Sequence, residues 1–169
     1  IASDLNRPIV ATDFSLSVLR RDRKYFQYLE LDHLVSFLAF DARKTPFKDG
    51  TVKIMTTNLG LPNIENPNDL LNELKRIVSG TFLAISHFFP VKDDENHALI
   101  KQAGIEAFTY KESAMRYFSA AKWKTKIENA CLANALPTPE SKIFEGARAD
   151  GLPVVPTKLE WGTIRSESR

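Results

Sequence analysis

Near-continuous apolar runs that stop on polar residues constrain this 169-residue chain more than any other feature. RPIVATD (7–13) reads as a short buried strand ending on Asp13, and VSFLAF (35–40) as a second, followed at once by Asp41. VKIMTT (52–57) is a third, meeting Asn58, and TFLAISHFF (81–89) a fourth, with His87 near its end. Strands apolar along their whole length suit a parallel sheet covered on both faces, whereas an antiparallel sheet with one wet face alternates.

The stretches between these runs have helical spacing. From Ser15 to about Leu31, Val18, Phe26 and Leu29 recur at offsets of eight and eleven. The segment NPNDLLNELKRIVSG is better punctuated. Asn66 is placed to cap it, Pro67 suits a first turn, and Asp69 suits the positive end of the helix dipole. Leu70, Leu71, Leu74, Ile77 and Val78 share one face, and Gly80 stands where a left-handed terminator belongs. Further helices are predicted over 94–103 and 112–121.

Strand–helix–strand order of this kind predicts an α/β fold with a mostly parallel sheet and helices on both faces. The end of the chain differs. Residues 123–132 and 157–166 alternate more loosely, as in KLEWGTI, and predict an antiparallel pair with one solvated side. The Pro- and Gly-bearing stretch between them, Ala133 to Pro156, is too long for a tight turn.

The length suits one domain over 1–169 and is enough to bury a core. Lys and Arg exceed Asp and Glu by 23 − 21 = 2, which gives no electrostatic case for nucleic acid or an anionic membrane surface. The densest basic stretch, LRRDRK (19–24), reads as a solvated helix face. No apolar run approaches the roughly 20 residues of a membrane span. The single cysteine, Cys131, excludes an internal disulfide and suits a reducing compartment, so a cytoplasmic location is expected.

In open parallel sheets, ligands bind beyond the carboxyl ends of the strands. Asp13, Asp41, Asn58 and His87 all fall at such ends. Asp13 suits a carboxylate accepting from two ribose hydroxyls, although Asp13 or Ser15 could equally cap the helix that follows. Phe14 offers a flat apolar face to a purine or, alternatively, joins the core. At Asp41 a capping role is weaker, because Pro46 disfavours a helix through Thr45. A carboxylate there could accept from an exocyclic amine, with the Ala42 backbone recognising a purine ring nitrogen. His87 is the candidate general base, against a structural histidine lining the cleft. His33 and His97 look incidental, and no spacing suits a metal.

Asp13-Phe14-Ser15, Phe40-Asp41-Ala42, Pro46-Phe47-x-Asp49-Gly50 and the 66–80 helix, in that order, resemble consecutive motifs of class I S-adenosylmethionine-dependent methyltransferases of the small-molecule type. The resemblance covers most of residues 7–166 and implies a Rossmann-like fold with an antiparallel terminal strand. It implies S-adenosylmethionine as cofactor and a small-molecule substrate. Asp13 would bind the ribose hydroxyls, Phe14 would pack on the adenine, and Asp41 and Ala42 would meet its amine edge. Asn58, Leu59 and Gly60 would lie near the methionine moiety and the substrate. After the third run the chain reads Asn58-Leu-Gly-Leu-Pro-Asn63, unlike the Asn/Asp-Pro-Pro-aromatic motif of enzymes acting on nucleic-acid amines.

In that fold the connection from Ala42 to Thr51 must cross three strand spacings, about 14 Å, and return along a strand, a path of about 25 Å. Ten extended residues reach about 33 Å, so the crossing is possible only without a helix. The family's glycine-rich loop is missing: the seven glycines, at 50, 60, 80, 104, 146, 151 and 162, include no G-x-G. The resemblance places that loop and its strand before residue 7. An N-terminally incomplete chain beginning at Ile1 is the preferred account. A partner chain or homo-oligomer completing the sheet, or a divergent variant, are the alternatives. Two other functions stay open: a methyltransferase-like scaffold without catalysis, supported by the missing loop, and a nicotinamide-dependent oxidoreductase, which also places an acid on a ribose.

Overall fold

A computed structural model describes residues 7–89, 94–129, 140–141, 157–158 and 160–167. The chain divides into two compact units, residues 1–47 and 48–169. The first unit contains β1 (Ile9–Asp13), helix α1 (Leu16–Tyr28) and β2 (Val35–Ala39). β1 and β2 pair in parallel, with Ile9 opposite Val35 and Asp13 opposite Ala39. Parallel neighbours need a crossover, and α1 supplies it by packing on one face of the pair. Leu19 and Val35 are buried there, and Phe26 meets Phe37 edge to face at 5.7 Å.

The second unit contains β3 (Val52–Asn58), α2 (Pro67–Ile77), β4 (Val78–Phe88), α3 (Asp94–Gln102), α4 (Lys111–Ala120) and β5 (Lys124–Asn129). Two short strands follow, β6 (Glu140–Ser141) and β7 (Thr157–Lys158), then the longer β8 (Glu160–Glu167). The main sheet has the order β3-β4-β8-β5. β3 and β4 are parallel, while β8 runs antiparallel to both of its neighbours and lies between them. The fold is therefore α/β, with parallel strands first and an antiparallel pair last, as the sequence patterns predict.

Several expected elements shift in their details. The predicted strand over 157–166 is divided between β7 and β8, and β7 pairs with β6, which lies in the stretch expected to be a loop. The remainder of that loop, and Cys131, lie outside the described residues.

The 66–80 segment carries two corrections. Asn66 occupies the N-cap position, but its backbone is left-handed (φ 55°) and its side chain makes no capping bond. Its carbonyl instead accepts from Asp69 and Leu70. Gly80 does not terminate the helix. α2 ends at Ile77 and the chain passes straight into β4, where Gly80 sits at a bulge between the pairs Val52–Val78 and Ile54–Thr81. A Cβ at Gly80 would fall 2.3 Å from the Lys53 carbonyl oxygen, so the residue is glycine because another backbone passes there.

The core lies on one face of the larger sheet. Phe82, Ala84, Ser86 and Phe88 alternate along β4 and are fully buried, as are Ile164 and Ser166 of β8. Leu70, Leu71, Leu74 and Ile77 of α2 are also buried, each contributing about 1.5–3 kcal/mol of transfer free energy. Phe118 of α4 stacks on Phe82 at 6.0 Å, and Trp123 donates its indole N–H to the Leu71 carbonyl. Other strand positions are wetter than their composition predicts. Val10 is 49% exposed and Ile54 68%. The packing contacts of α1 in one unit, and of α2 and α4 in the other, fall on the opposite strand faces.

The connection after β2 contains turns and no helix, as its length requires. At its end, the Gly50 N–H donates to the Arg76 carbonyl, and the Arg76 guanidinium holds both Asp49 and Glu73. Gly50 has φ 65°, the left-handed conformation that suits glycine at the turn into β3.

Candidate functional site

The parallel pairing of β1 and β2 carries Asp13 and Asp41 to the carboxyl ends of neighbouring strands. Asp13 lies opposite Ala39, and the Phe40 N–H donates to the Asp13 carbonyl at 3.2 Å. Both carboxylates then make the same local turn. Asp13 Oδ1 accepts the Ser15 N–H at 2.7 Å, and Asp41 Oδ1 accepts the Arg43 N–H at 2.9 Å. These side-chain turns stop each strand by offering the backbone another partner two residues on.

The helix after Asp13 is not capped by a side chain. Ser15 sits at the N-cap of α1 without a capping bond, its hydroxyl 2.8 Å from that of Ser17. Among the described residues the second oxygen of Asp13 accepts no hydrogen bond, so it is able to accept from a ligand hydroxyl. Phe14 is 80% exposed, which excludes the core alternative and leaves its ring available as an apolar platform.

Asp41 differs in one respect that the sequence reading missed. The Arg43 side chain folds back onto it: Nε lies 3.0 and 3.1 Å from the two carboxylate oxygens, and Nη2 lies 2.7 Å from Oδ2. No helix follows Asp41, as expected, and its carboxylate instead closes a turn joined by an ion pair. These bonds from Arg43 hold the Asp41 carboxyl below the usual carboxylate range. Asp-x-Arg spacing across a turn was the available signal. Ala42 occupies the turn itself, and Phe47 packs edge to face on Phe40 at 5.5 Å, bracketing the segment.

In the second unit, Asn58, Leu59, Gly60 and His87 gather at the carboxyl ends of β3 and β4. Asn58 lies opposite Ile85, two positions before His87 on the same strand face. The Leu59 N–H donates to the Ile85 carbonyl at 2.9 Å, and Leu59 has the left-handed φ of 57° that is unusual for a leucine. Asn63 holds the turn from the far side by donating to the Leu59 carbonyl at 3.1 Å. A Cβ at Gly60 would press on the Thr57 hydroxyl, which would have to turn away. Such a turn holds backbone polar groups in fixed directions at a strand end.

Partial burial pushes the His87 imidazole below its ordinary pKa, so it is neutral at neutral pH and able to accept a proton. His97 stands apart on α3 with its ring against Tyr110, and His33 lies in a short turn at 32–34. Among the described residues no three His, Cys, Asp or Glu side chains gather as for a metal ion, and no helix is long and apolar enough to cross a membrane.

Comparison with known proteins adds to this geometry. Residues 1–83 match the family model of the methyltransferase domain. The chain is 39% identical over 69 residues to a demethylmenaquinone methyltransferase of Streptomyces avermitilis, a match covering 41% of this chain and 27% of that protein. It is 28% identical over 83 residues to a ubiquinone/menaquinone biosynthesis C-methyltransferase of a Ruegeria species, covering 48% and 33% respectively. The matches thus span about a third or less of the length of these relatives. Among solved structures, the fold is similar to geranyl diphosphate C-methyltransferase from Streptomyces coelicolor, in complex with magnesium, geranyl diphosphate and S-adenosylhomocysteine. The TM-score is 0.68 at 13% identity, over 99% of this chain and 66% of that one. With an ordered series of strand-end motifs, a methyltransferase-domain model matching residues 1–83 and a matching fold, this chain is similar to the class I S-adenosylmethionine-dependent methyltransferases.

Proposed function

We propose that this protein transfers a methyl group from S-adenosylmethionine to a small-molecule acceptor. The observation that carries the reading is the placement of Asp13 and Asp41 at the carboxyl ends of adjacent parallel strands, with the exposed ring of Phe14 beside the first acid. Asp13 has an oxygen available for the ribose hydroxyls, Phe14 a face for the adenine, and Asp41 with the Ala42 backbone an edge for its amine and ring nitrogen.

The cofactor supplies an electrophilic methyl on a sulfonium. The protein's part is chiefly to orient the acceptor in line and to exclude water, since positioning removes much of the entropic barrier. Neutral His87 takes the proton from an acceptor that must lose one. One relative is named for methylating demethylmenaquinone and the other for C-methylation in ubiquinone/menaquinone biosynthesis, which supports a carbon acceptor on a small organic molecule. One structural neighbour aligns with 99% of the chain, which supports treating residues 1–169 as a single methyltransferase-like domain.

Calorimetric titration of the full-length protein with S-adenosylhomocysteine and with NAD tests the reading. Binding of S-adenosylhomocysteine alone is expected. Binding of NAD alone would replace it with a dehydrogenase, and binding of neither would leave a methyltransferase-like scaffold.

A further inference from the structure

We propose that Arg43 is a specificity gate on the candidate cofactor site, its guanidinium competing with the ligand's amine for the Asp41 carboxylate. This inference rests on the cofactor reading above. Asp13 and Asp41 make the same turn at the ends of neighbouring strands, yet among the described residues only Asp41 carries a cation. Asp13 accepts a single backbone N–H, whereas Asp41 accepts the backbone N–H and a two-pronged guanidinium from Arg43.

The two oxygens of Asp41 are not equivalent. Oδ1 is fixed by the Arg43 backbone N–H at 2.9 Å as well as by Nε. Oδ2 is held by side-chain donors of Arg43, Nη2 at 2.7 Å and Nε at 3.1 Å. An incoming exocyclic amine can therefore take the place of Nη2 on Oδ2 while the turn through Oδ1 stays closed. The exchange swaps one N–H donor for another and leaves no carboxylate oxygen without a partner. It also charges a toll on any ligand that cannot donate a hydrogen bond there, because such a ligand cannot displace the guanidinium.

The pair is weak enough to open. Both side chains are about one-third exposed, and ion pairs of that kind contribute little in water and are screened by salt. The gate therefore discriminates mildly: from the usual strength of such pairs its removal is worth about two- to fivefold in affinity.

The test is calorimetric binding of S-adenosylhomocysteine to the full-length protein and to Arg43→Ala, each at low and at high sodium chloride. S-adenosylhomocysteine carries no net charge at neutral pH, so general screening changes its binding little. Wild-type affinity should rise with salt as the pair is screened. Arg43→Ala should bind about two- to fivefold more tightly than wild type at low salt and show no such rise. A melting curve confirms that the variant is folded. Weaker or equal binding by a folded Arg43→Ala would overturn the gate while leaving the cofactor reading intact, because Arg43 would then only position Asp41. No binding by either protein would overturn the cofactor reading and the gate with it.

Discussion

Trp123 donates its backbone N–H to the Phe118 carbonyl at 2.9 Å, and the two rings meet edge to face at 6.4 Å. With the Lys122 N–H donating to the Ser119 carbonyl, these bonds close the end of α4 in the pattern that needs a left-handed residue after the C-cap. That residue is Lys122, with φ 60°, where glycine is the usual choice. Two carbonyls of the same turn, those of Ala121 and Lys122, are held by the Lys75 ammonium of α2. Lys122→Gly should therefore stabilise the protein by about 0.5–1 kcal/mol, the left-handed penalty relieved exceeding the extra freedom of the unfolded chain. Urea denaturation measures the gain, and a loss of stability would show that the Lys122 side chain contributes more than its backbone costs.

Phe118 is the next test, because its ring is fully buried and touches Phe82, Phe108 and Trp123. Phe118→Ala should cost about 3–5 kcal/mol, the transfer term plus the cavity left in a dense aromatic cluster. Phe118→Leu, which keeps most of the volume, should cost less. The midpoint of a denaturant titration separates the two. Equal losses would mean that the cluster collapses into the space.

Much of this fold was legible because its strands and helices carry opposite periodicities. The boundaries of β2, β3, α3 and α4 fall within a residue or two of the sequence patterns. What was not legible depended on contacts between segments distant in sequence. Gly80 stands after a helical apolar face, so a helix terminator was the local reading. Its real constraint is the Lys53 backbone, 27 positions earlier. Asp41 escaped for a different reason: its partner is only two residues on, and the Asp-x-Arg spacing permits the pair but leaves it to the rotamer of a flexible arginine.

Gly80 provides a direct comparison of the two readings. A left-handed terminator tolerates asparagine, which visits that region readily. A bulge pressed against another strand tolerates no Cβ at all, because it meets a backbone carbonyl that cannot swing away. Gly80→Ala and Gly80→Asn should both destabilise the protein by about 2 kcal/mol or more, with the register between β3 and β4 disturbed. Thermal melts of the pair decide, and a near-neutral Gly80→Asn would restore the terminator.

The two strand-end acids should prove unequal in binding, although both belong to the proposed site. Asp13→Ala removes an acceptor with an oxygen to spare and should weaken S-adenosylhomocysteine by about 5- to 100-fold. Asp41→Ala should also weaken it, but less, since the wild-type carboxylate must first release Arg43. Calorimetry on both variants orders them. Unchanged affinity in both would remove these acids from the site.

His87 links the site to the pH dependence of stability. Its pKa is lowered in the folded protein because burial disfavours the imidazolium. Below the unfolded value of about 6.5, the unfolded chain binds a proton at this residue that the folded chain does not. The contribution of His87 is therefore fully present above that pH and is lost progressively as the pH falls toward the folded pKa. Wild-type protein should lose melting temperature between pH 7.5 and 5 more steeply than His87→Phe, which has no proton to take up. Methyl transfer should fall over the same interval if His87 is the base, because the imidazole must be neutral to act. Parallel melting curves for the two proteins would mean that His87 is solvated as in the unfolded chain. A flat activity profile beside divergent melting curves would leave His87 a structural histidine at the strand end.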